Sequence, residues 1–192
     1  IVILDARRFE EYRTMSIPGG ISVPGAELVY RVGDLAPSPD TLVIVNCAGR
    51  TRSIIGTQSL VNAGIPNRVA ALRNGTIGWT IAGLSLDGGQ TRRFPPVSGE
   101  ARARASAAAR DVADRAGVGR IDRAGLDAWT RDEARTLFRF DVRNPEEYEA
   151  GHLPGFRSAP GGQLVQATDD YVGVRGARLV LADDDGARAD MT

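Results

Sequence analysis

Lysine is missing from this 192-residue sequence: all 24 basic residues are arginines, matched by 24 Asp and Glu. The resulting zero net charge supplies no field that would gather nucleic acid or an anionic surface. The arginine bias itself reads as genome-wide codon drift and not as a special use of guanidinium groups. One Cys and one His exclude an internal disulfide and a Cys/His zinc site, so no metal and no cofactor is expected. No apolar run approaches the length that crosses a bilayer. Ile1 opens an apolar run and not the charged leader of a signal peptide, and no membrane partner is expected. What remains is an ordinary balance of 42% apolar and 25% charged residues, the composition of one large or two small globular domains. The chemistry of such a chain falls to Cys47.

Displacing the sequence by 136 residues sets D-A-R-R-F-E-E-Y (5–12) on D-V-R-N-P-E-E-Y (141–148), I-P-G (17–19) on L-P-G (153–155) and P-G (24–25) on P-G (160–161). Without a gap, residues 1–53 against 137–189 share 14 identities in 53 pairs, which marks two copies of one domain. The same shift sets Cys47 against Asp183, so the second copy lacks the thiol. Copy two is preceded by I-D-R-A-G-L-D-A-W-T (121–130), a helix-like stretch whose counterpart would fall before Ile1. Copy one runs on well past Ser53, whereas copy two stops at Thr192. These offsets predict a fragment of a longer polypeptide.

Residues 1–4 (I-V-I-L) and 42–46 (L-V-I-V-N) are short β-branched runs, the pattern of strands buried on both faces of a parallel sheet. Helices are predicted over Glu10–Met15 and Ser53–Ala63, the second stopped by Gly64-Ile65-Pro66. A strand follows at Val69–Leu72, then a turn at N-G (74–75) and a short helix over Trp79–Ala82. Strands alternating with helices predict an α/β fold, with a mostly parallel central sheet flanked by helices in each of two tandem copies. The first domain is placed at 1–89 and the second at 120–192, with 90–119 connecting them. Within that connection Q-T-R-R-F-P-P-V-S (90–98) reads as linker. Glu100–Ala116, rich in Ala and Arg, reads as an exposed spacer helix. Asp111, Asp114 and Glu100 interrupt its positive charge and no aromatic platform accompanies it, so no nucleic-acid partner is expected.

Cys47 sits between a buried strand and a helix, in C-A-G-R-T-R-S (47–53). A loop of this kind aims backbone N–H groups inward, and the helix N-terminus adds about half a positive charge. Arg50 and Arg52 contribute two full charges. Such a cradle favours the nucleophilic thiolate and also receives an oxyanion, so nucleophile and anion hole coincide. A cysteine ending a core strand is more often a small buried hydrophobe. Two arginines, a glycine and a hydroxyl residue at a helix start set this one apart. Ala48, Gly49, Arg50, Thr51, Arg52 and Ser53 are therefore the candidate substrate-binding residues around catalytic Cys47. Asp5 and Arg7, with their counterparts Asp141 and Arg143, recur even in the copy without a thiol, which argues for a structural charge-assisted pair.

The D-A-R opening, E-E-Y, I-P-G-G-I-S-V-P, V-N-C, C-A-G-R-T-R-S, A-L-R-N-G and the later G-W resemble the rhodanese-domain sulfurtransferases. The resemblance covers residues 1–89 and, without the Cys loop, about 120–192. It implies two rhodanese-like three-layer domains, the second inactive and truncated. It further implies a sulfur shuttle in which Cys47 takes sulfane sulfur from a small anionic donor such as thiosulfate. The resulting persulfide passes it to a thiol or cyanide acceptor. Further rhodanese-like repeats of the same polypeptide are expected as partners. Two departures stand out: Arg50 occupies the loop position where many members carry Gly, and Ser16 stands where a His often precedes I-P-G. That His is present in copy two as His152, which reads as a structural turn residue. Asp183-Asp184-Asp185 would repel an anionic donor and make copy two a scaffold or docking module.

Two other functions compete. A Cys-dependent phosphatase or arsenate reductase uses a similar cradle, but those loops place five residues between Cys and Arg, and here four separate Cys47 from Arg52. A non-catalytic sulfur carrier or regulatory docking module would pass sulfur between proteins. One thiol without a resolving Cys suits a reducing compartment, and a cytoplasmic location is expected.

Overall fold

The β-branched runs heading the two copies form the centres of two parallel sheets, and the computed structural model describes every residue from Ile1 to Thr192. In the first unit the chain runs β1 (Val2–Asp5), α1 (Phe9–Thr14), β2 (Ile21–Ser22), α2 (Glu27–Leu35), β3 (Val43–Asn46), α3 (Thr51–Asn62), β4 (Val69–Ala71) and α4 (Gly75–Ile81). Two helices follow, α5 (Gly99–Arg115) and α6 (Arg123–Arg131). The second unit runs β5 (Leu137–Asp141), α7 (Pro145–Ala150), β6 (Arg157–Ser158), α8 (Gly161–Gln166), α9 (Thr168–Tyr171), β7 (Arg178–Ala182) and α10 (Ala187–Asp190). No helix is long and apolar enough to cross a membrane.

The sheet orders are β2-β1-β3-β4 and β6-β5-β7, all pairs parallel. The register repeats across the units: Leu4 faces Ile21 as Phe140 faces Arg157, and Val2 faces Val43 as Phe138 faces Leu179. Each of these pairings is displaced by the same 136 residues as the sequence repeat. The chain leaves β1 towards β2 on one side and returns as β3 on the other. That reversal opens a crevice at the carboxyl ends of β1 and β3, where α/β sheets place their ligands. Leu4, Val23, Leu28, Val43, Val45 and Leu60 are wholly buried beneath it. Phe140, Val142, Ala159 and Leu164 form the smaller core of the second unit.

The connection between the units departs from the sequence expectation. The stretch 90–98 is tied to the first unit, since Ser22 N–H donates to the Arg92 carbonyl and Phe94 packs against the first core. Nor is α5 a solvated spacer. Ala101, Ala105, Ala109 and Ala113 recur every fourth residue on one buried face, and Ala105 and Ala109 cluster with Tyr30 of α2 and Ala187 of α10. The stripe is apolar but small, so mean hydropathy hides it, while alanine lets helices approach closely. Ser98 caps the helix by accepting from Ala101 N–H, and Asp34 in turn accepts from Ser98. Because Ala109 has no exposed surface, Ala109→Leu overpacks this seam and should cost about 1–3 kcal/mol. Thermal unfolding of the full chain measures this, and an unchanged midpoint would show the seam to be loose.

Candidate active site

The site is built from the ends of β1 and β3 and the start of α3. Asp5 closes β1 with a buried carboxylate that accepts from Arg7 Nε (2.9 Å), Arg7 Nη2 (2.7 Å), the Arg7 backbone N–H (3.1 Å) and Asn46 Nδ2 (3.0 Å). Arg7 Nη2 also donates to the Met15 carbonyl at 2.6 Å. One carboxylate thus ties two neighbouring strand ends and the loop after α1, and charge-assisted bonds of this kind are the strong ones. The second unit repeats the arrangement: Arg143 donates to Asp141 at 2.6–3.1 Å and to the Gly151 carbonyl at 2.7 Å.

Cys47 follows Asn46 and is 2% exposed. Its thiol donates to Ser53 Oγ at 3.3 Å, and Ser53 Oγ donates to the Arg50 carbonyl at 3.0 Å. Ser53 is itself fully buried, so the hydroxyl closes the loop from within. The first turn of α3 holds no acidic residue, and its N-cap Arg50 makes no side-chain cap. The N-terminal N–H groups of α3 are therefore free of side-chain acceptors. Thr76 N–H donates to the Cys47 carbonyl (3.0 Å) and Ile77 N–H to the Ala48 carbonyl (3.1 Å). In planar trans peptides that orientation turns the N–H groups of Ala48 and Gly49 away from α4.

The N-G pair, expected as a simple turn, is what allows α4 to reach the loop. Asn74 and Gly75 both take left-handed backbone, with φ of 59° and 55°. A Cβ on Gly75 would lie 2.0 Å from the Cys47 carbonyl oxygen, so only glycine fits. Asn74 also accepts from Arg50 Nε at 2.9 Å.

The two loop arginines are not directed at the sulfur. Arg50 lies exposed at the rim, bonded to the neutral Asn74 amide and in no ion pair. Arg52 is gripped by Glu11 through two hydrogen bonds of 2.6 and 2.8 Å. Those bonds, opposed by burial and helped by the Arg52 charge, bring the Glu11 carboxyl down to about 2. Arg52 is raised in turn, mainly by the Glu11 hydrogen bond, against the opposing effect of burial. Glu11 was missed as a partner of the loop, although a signal existed: Glu147 and Arg188 recur at the same 41-residue spacing and form the same pair, at 2.8 Å.

The second unit shows what its equivalent loop surrounds. Asp183, the counterpart of Cys47, accepts from the backbone N–H of Gly186 (2.6 Å), Arg188 (2.8 Å) and Ala189 (3.4 Å). Shifted by 136, these are the N–H groups of Arg50, Arg52 and Ser53. Burial raises the Asp183 carboxyl, and the amides and Arg188 oppose that. His152 stacks on Tyr148 at 3.8 Å between centroids, with Nδ1 3.0 Å from the Tyr148 carbonyl oxygen. Two clefts of about 100 and 120 Å³ lie between the units and not over Cys47.

Residues 1–82 match the model of the rhodanese-like domain family. The chain is 73% identical to a thiosulfate sulfurtransferase from Pseudomonas aeruginosa of known crystal structure, with a TM-score of 0.97, over 99% of this chain and 36% of that one. It is 30% identical over 89 residues to the HTH-type transcriptional regulator Rv0324 of Mycobacterium tuberculosis, covering 46% of this chain and 38% of the regulator. The chain thus spans little more than a third of the length of either relative.

Because the folded-state value of Glu11 lies below its unfolded one of about 4.5, its pairing with Arg52 contributes fully above that pH. The contribution drains away as pH falls towards 2. Glu11→Gln should therefore lower the thermal midpoint at neutral pH, and the gap from the parent should close between pH 4.5 and 2. A gap independent of pH would show that Glu11 acts through packing alone.

Proposed function

From the premise that residues 1–82 are a rhodanese-like domain, we propose that the chain is a sulfurtransferase working through a persulfide on Cys47. The observation that carries this is the pair of equivalent loops: one holds a carboxylate with three backbone N–H groups, and the other presents a sulfur at the same place. A loop that receives a fixed side-chain anion in one copy suits a thiolate, or the terminal sulfur of a persulfide, in the other.

The Cys47 thiolate attacks the outer sulfur of thiosulfate. A bond forms between the two sulfurs as the thiosulfate S–S bond breaks, and sulfite leaves with the electron pair. An acceptor such as cyanide then attacks the sulfane sulfur, giving thiocyanate and regenerating the thiolate. Ser53 accepts from the neutral thiol, and its hydroxyl can turn to donate once the proton has left. Arg50, with no carboxylate partner, is the charge that meets an incoming dianion at the rim. Arg52, held by Glu11, sets the field behind the loop. A phosphatase reading gains no support, because the arginine that would grip a phosphoryl group is bound by Glu11. A reducing, cytoplasmic setting suits the single thiol.

Incubation with thiosulfate should add one sulfur atom, about 32 Da, to Cys47 by intact-mass measurement, and Cys47→Ser should abolish both the adduct and thiocyanate formation. Thiocyanate formed at the parental rate by Cys47→Ser would sink the mechanism. Arg50→Ala removes an exposed charge-assisted contact and should raise the KM for thiosulfate about three- to ten-fold with kcat little changed. A KM that does not move would place donor capture elsewhere.

A further inference from the structure

We propose that Arg188, in the loop of the unit without a thiol, is a positioning residue for the Cys47 loop of the other unit. Asp183 has already taken that loop's N–H groups, so the loop has no anion seat to offer. Its arginine, the counterpart of Arg52, is turned to another use. Arg188 is 1% exposed and donates through Nη1 to Glu147 in its own unit and, at 2.8 Å, to Glu27 of α2. Glu27 is equally buried, and its other oxygen accepts from Arg31 Nε at 2.7 Å. Two arginines from opposite units thus share one buried carboxylate. The same loop sends Asp185 to accept from Tyr30 Oη at 2.7 Å, so the docking falls along one face of α2.

That docking reaches Cys47 through α3. Leu28 of α2 lies so close to Gly56 that a Cβ there would stand 2.4 Å from its Cδ1. From the other side, Gly161, Gly162 and Val165 of α8 line one narrow cleft with Arg52, Ile55 and Ser59. Gly25 and Gly162 meet backbone to backbone, and a Cβ on either would lie about 3 Å from the other's Cα. Helix α3 therefore packs tightly on α2 at Gly56 and faces α8 across that cleft, and its first turn carries Arg52 and Ser53. Removing one member of a buried charge cluster leaves its partners uncompensated. A shift of α2 meets α3 directly where Leu28 closes on Gly56.

The activity arm of the test rests on the sulfurtransferase reading, and the spectroscopic arm does not. In the full chain, Arg188→Met, Glu27→Gln and the double variant are compared for thiosulfate-to-cyanide transfer and for the amide resonances of Arg52 and Ser53. Each single variant should lower kcat about five-fold with the thiosulfate KM within about two-fold, and should move both resonances. The double variant should be no worse than the poorer single one, and Arg188→Lys should recover part of kcat. A folded Arg188→Met with parental kcat and unmoved resonances overturns the proposal. Should the parent transfer no sulfur, the resonances alone decide the coupling, and the two readings fail separately. Should Arg188→Met not fold, the near-isosteric Glu27→Gln decides by the same criteria.

Discussion

A buried carboxylate at the end of β1 holds the arrangement on which the site rests. Asp5 joins β1 to β3 through Asn46 and binds Arg7, which reaches across to the loop after α1. Parallel strands have no hairpin to fix their relative ends, so side chains at the carboxyl edge must do it. With the edge pinned, the chain leaving β3 turns directly into α3, and Cys47 falls at the turn. The peptide groups there are shared between neighbours: α4 takes the carbonyls of Cys47 and Ala48, and the N–H groups face elsewhere. The sulfur itself is buried and has Ser53 Oγ as its hydrogen-bond partner.

The duplicated chain provides its own control. Strand register, the Asp–Arg pair, the Tyr12 and Tyr148 hydroxyls donating to the carbonyls of Gly20 and Phe156, and the Glu–Arg pair at the helix start all survive in both units. These belong to the fold, because they persist where no thiol remains to be served. Within the loop, Cys47, Ala48 and Gly49 give way to three aspartates. One of these fills the anion seat, and the other two bond outward, Asp184 to Arg143 and Arg188, and Asp185 to Tyr30. The loop that carries the carboxylate bonds α2 of the other unit, through Asp185 on Tyr30 and Arg188 on Glu27.

The repeat, the parallel strands and the cysteine between strand and helix were legible because they rest on local pattern: β-branched runs, spacing, and identity under a constant shift. The sequence predicts a helix from Ser53, and it begins two residues earlier at Thr51, because the N-cap position falls to Arg50, whose side chain makes no cap. The alanine face of α5 was read as solvated, since four alanines contribute little to hydrophobic periodicity though they pack as closely as larger groups. The direction of Arg50 and Arg52 could not be read at all. A long side chain reaches several ångströms from its own backbone, and its partner is chosen by what the fold brings near.

Residue order alone settled that there are two copies, that one carries a thiol and the other a carboxylate at the same place, and that the thiol ends a buried strand. Those are properties of adjacent residues, and adjacency survives without a fold. Only the assembled molecule decided that Glu11 would take Arg52, that Gly75 must lack a side chain, and that Arg188 would cross to Glu27. Each of these joins groups 28 to 161 residues apart, and at such separations chain connectivity imposes no meeting. Packing of the helices against the sheets does.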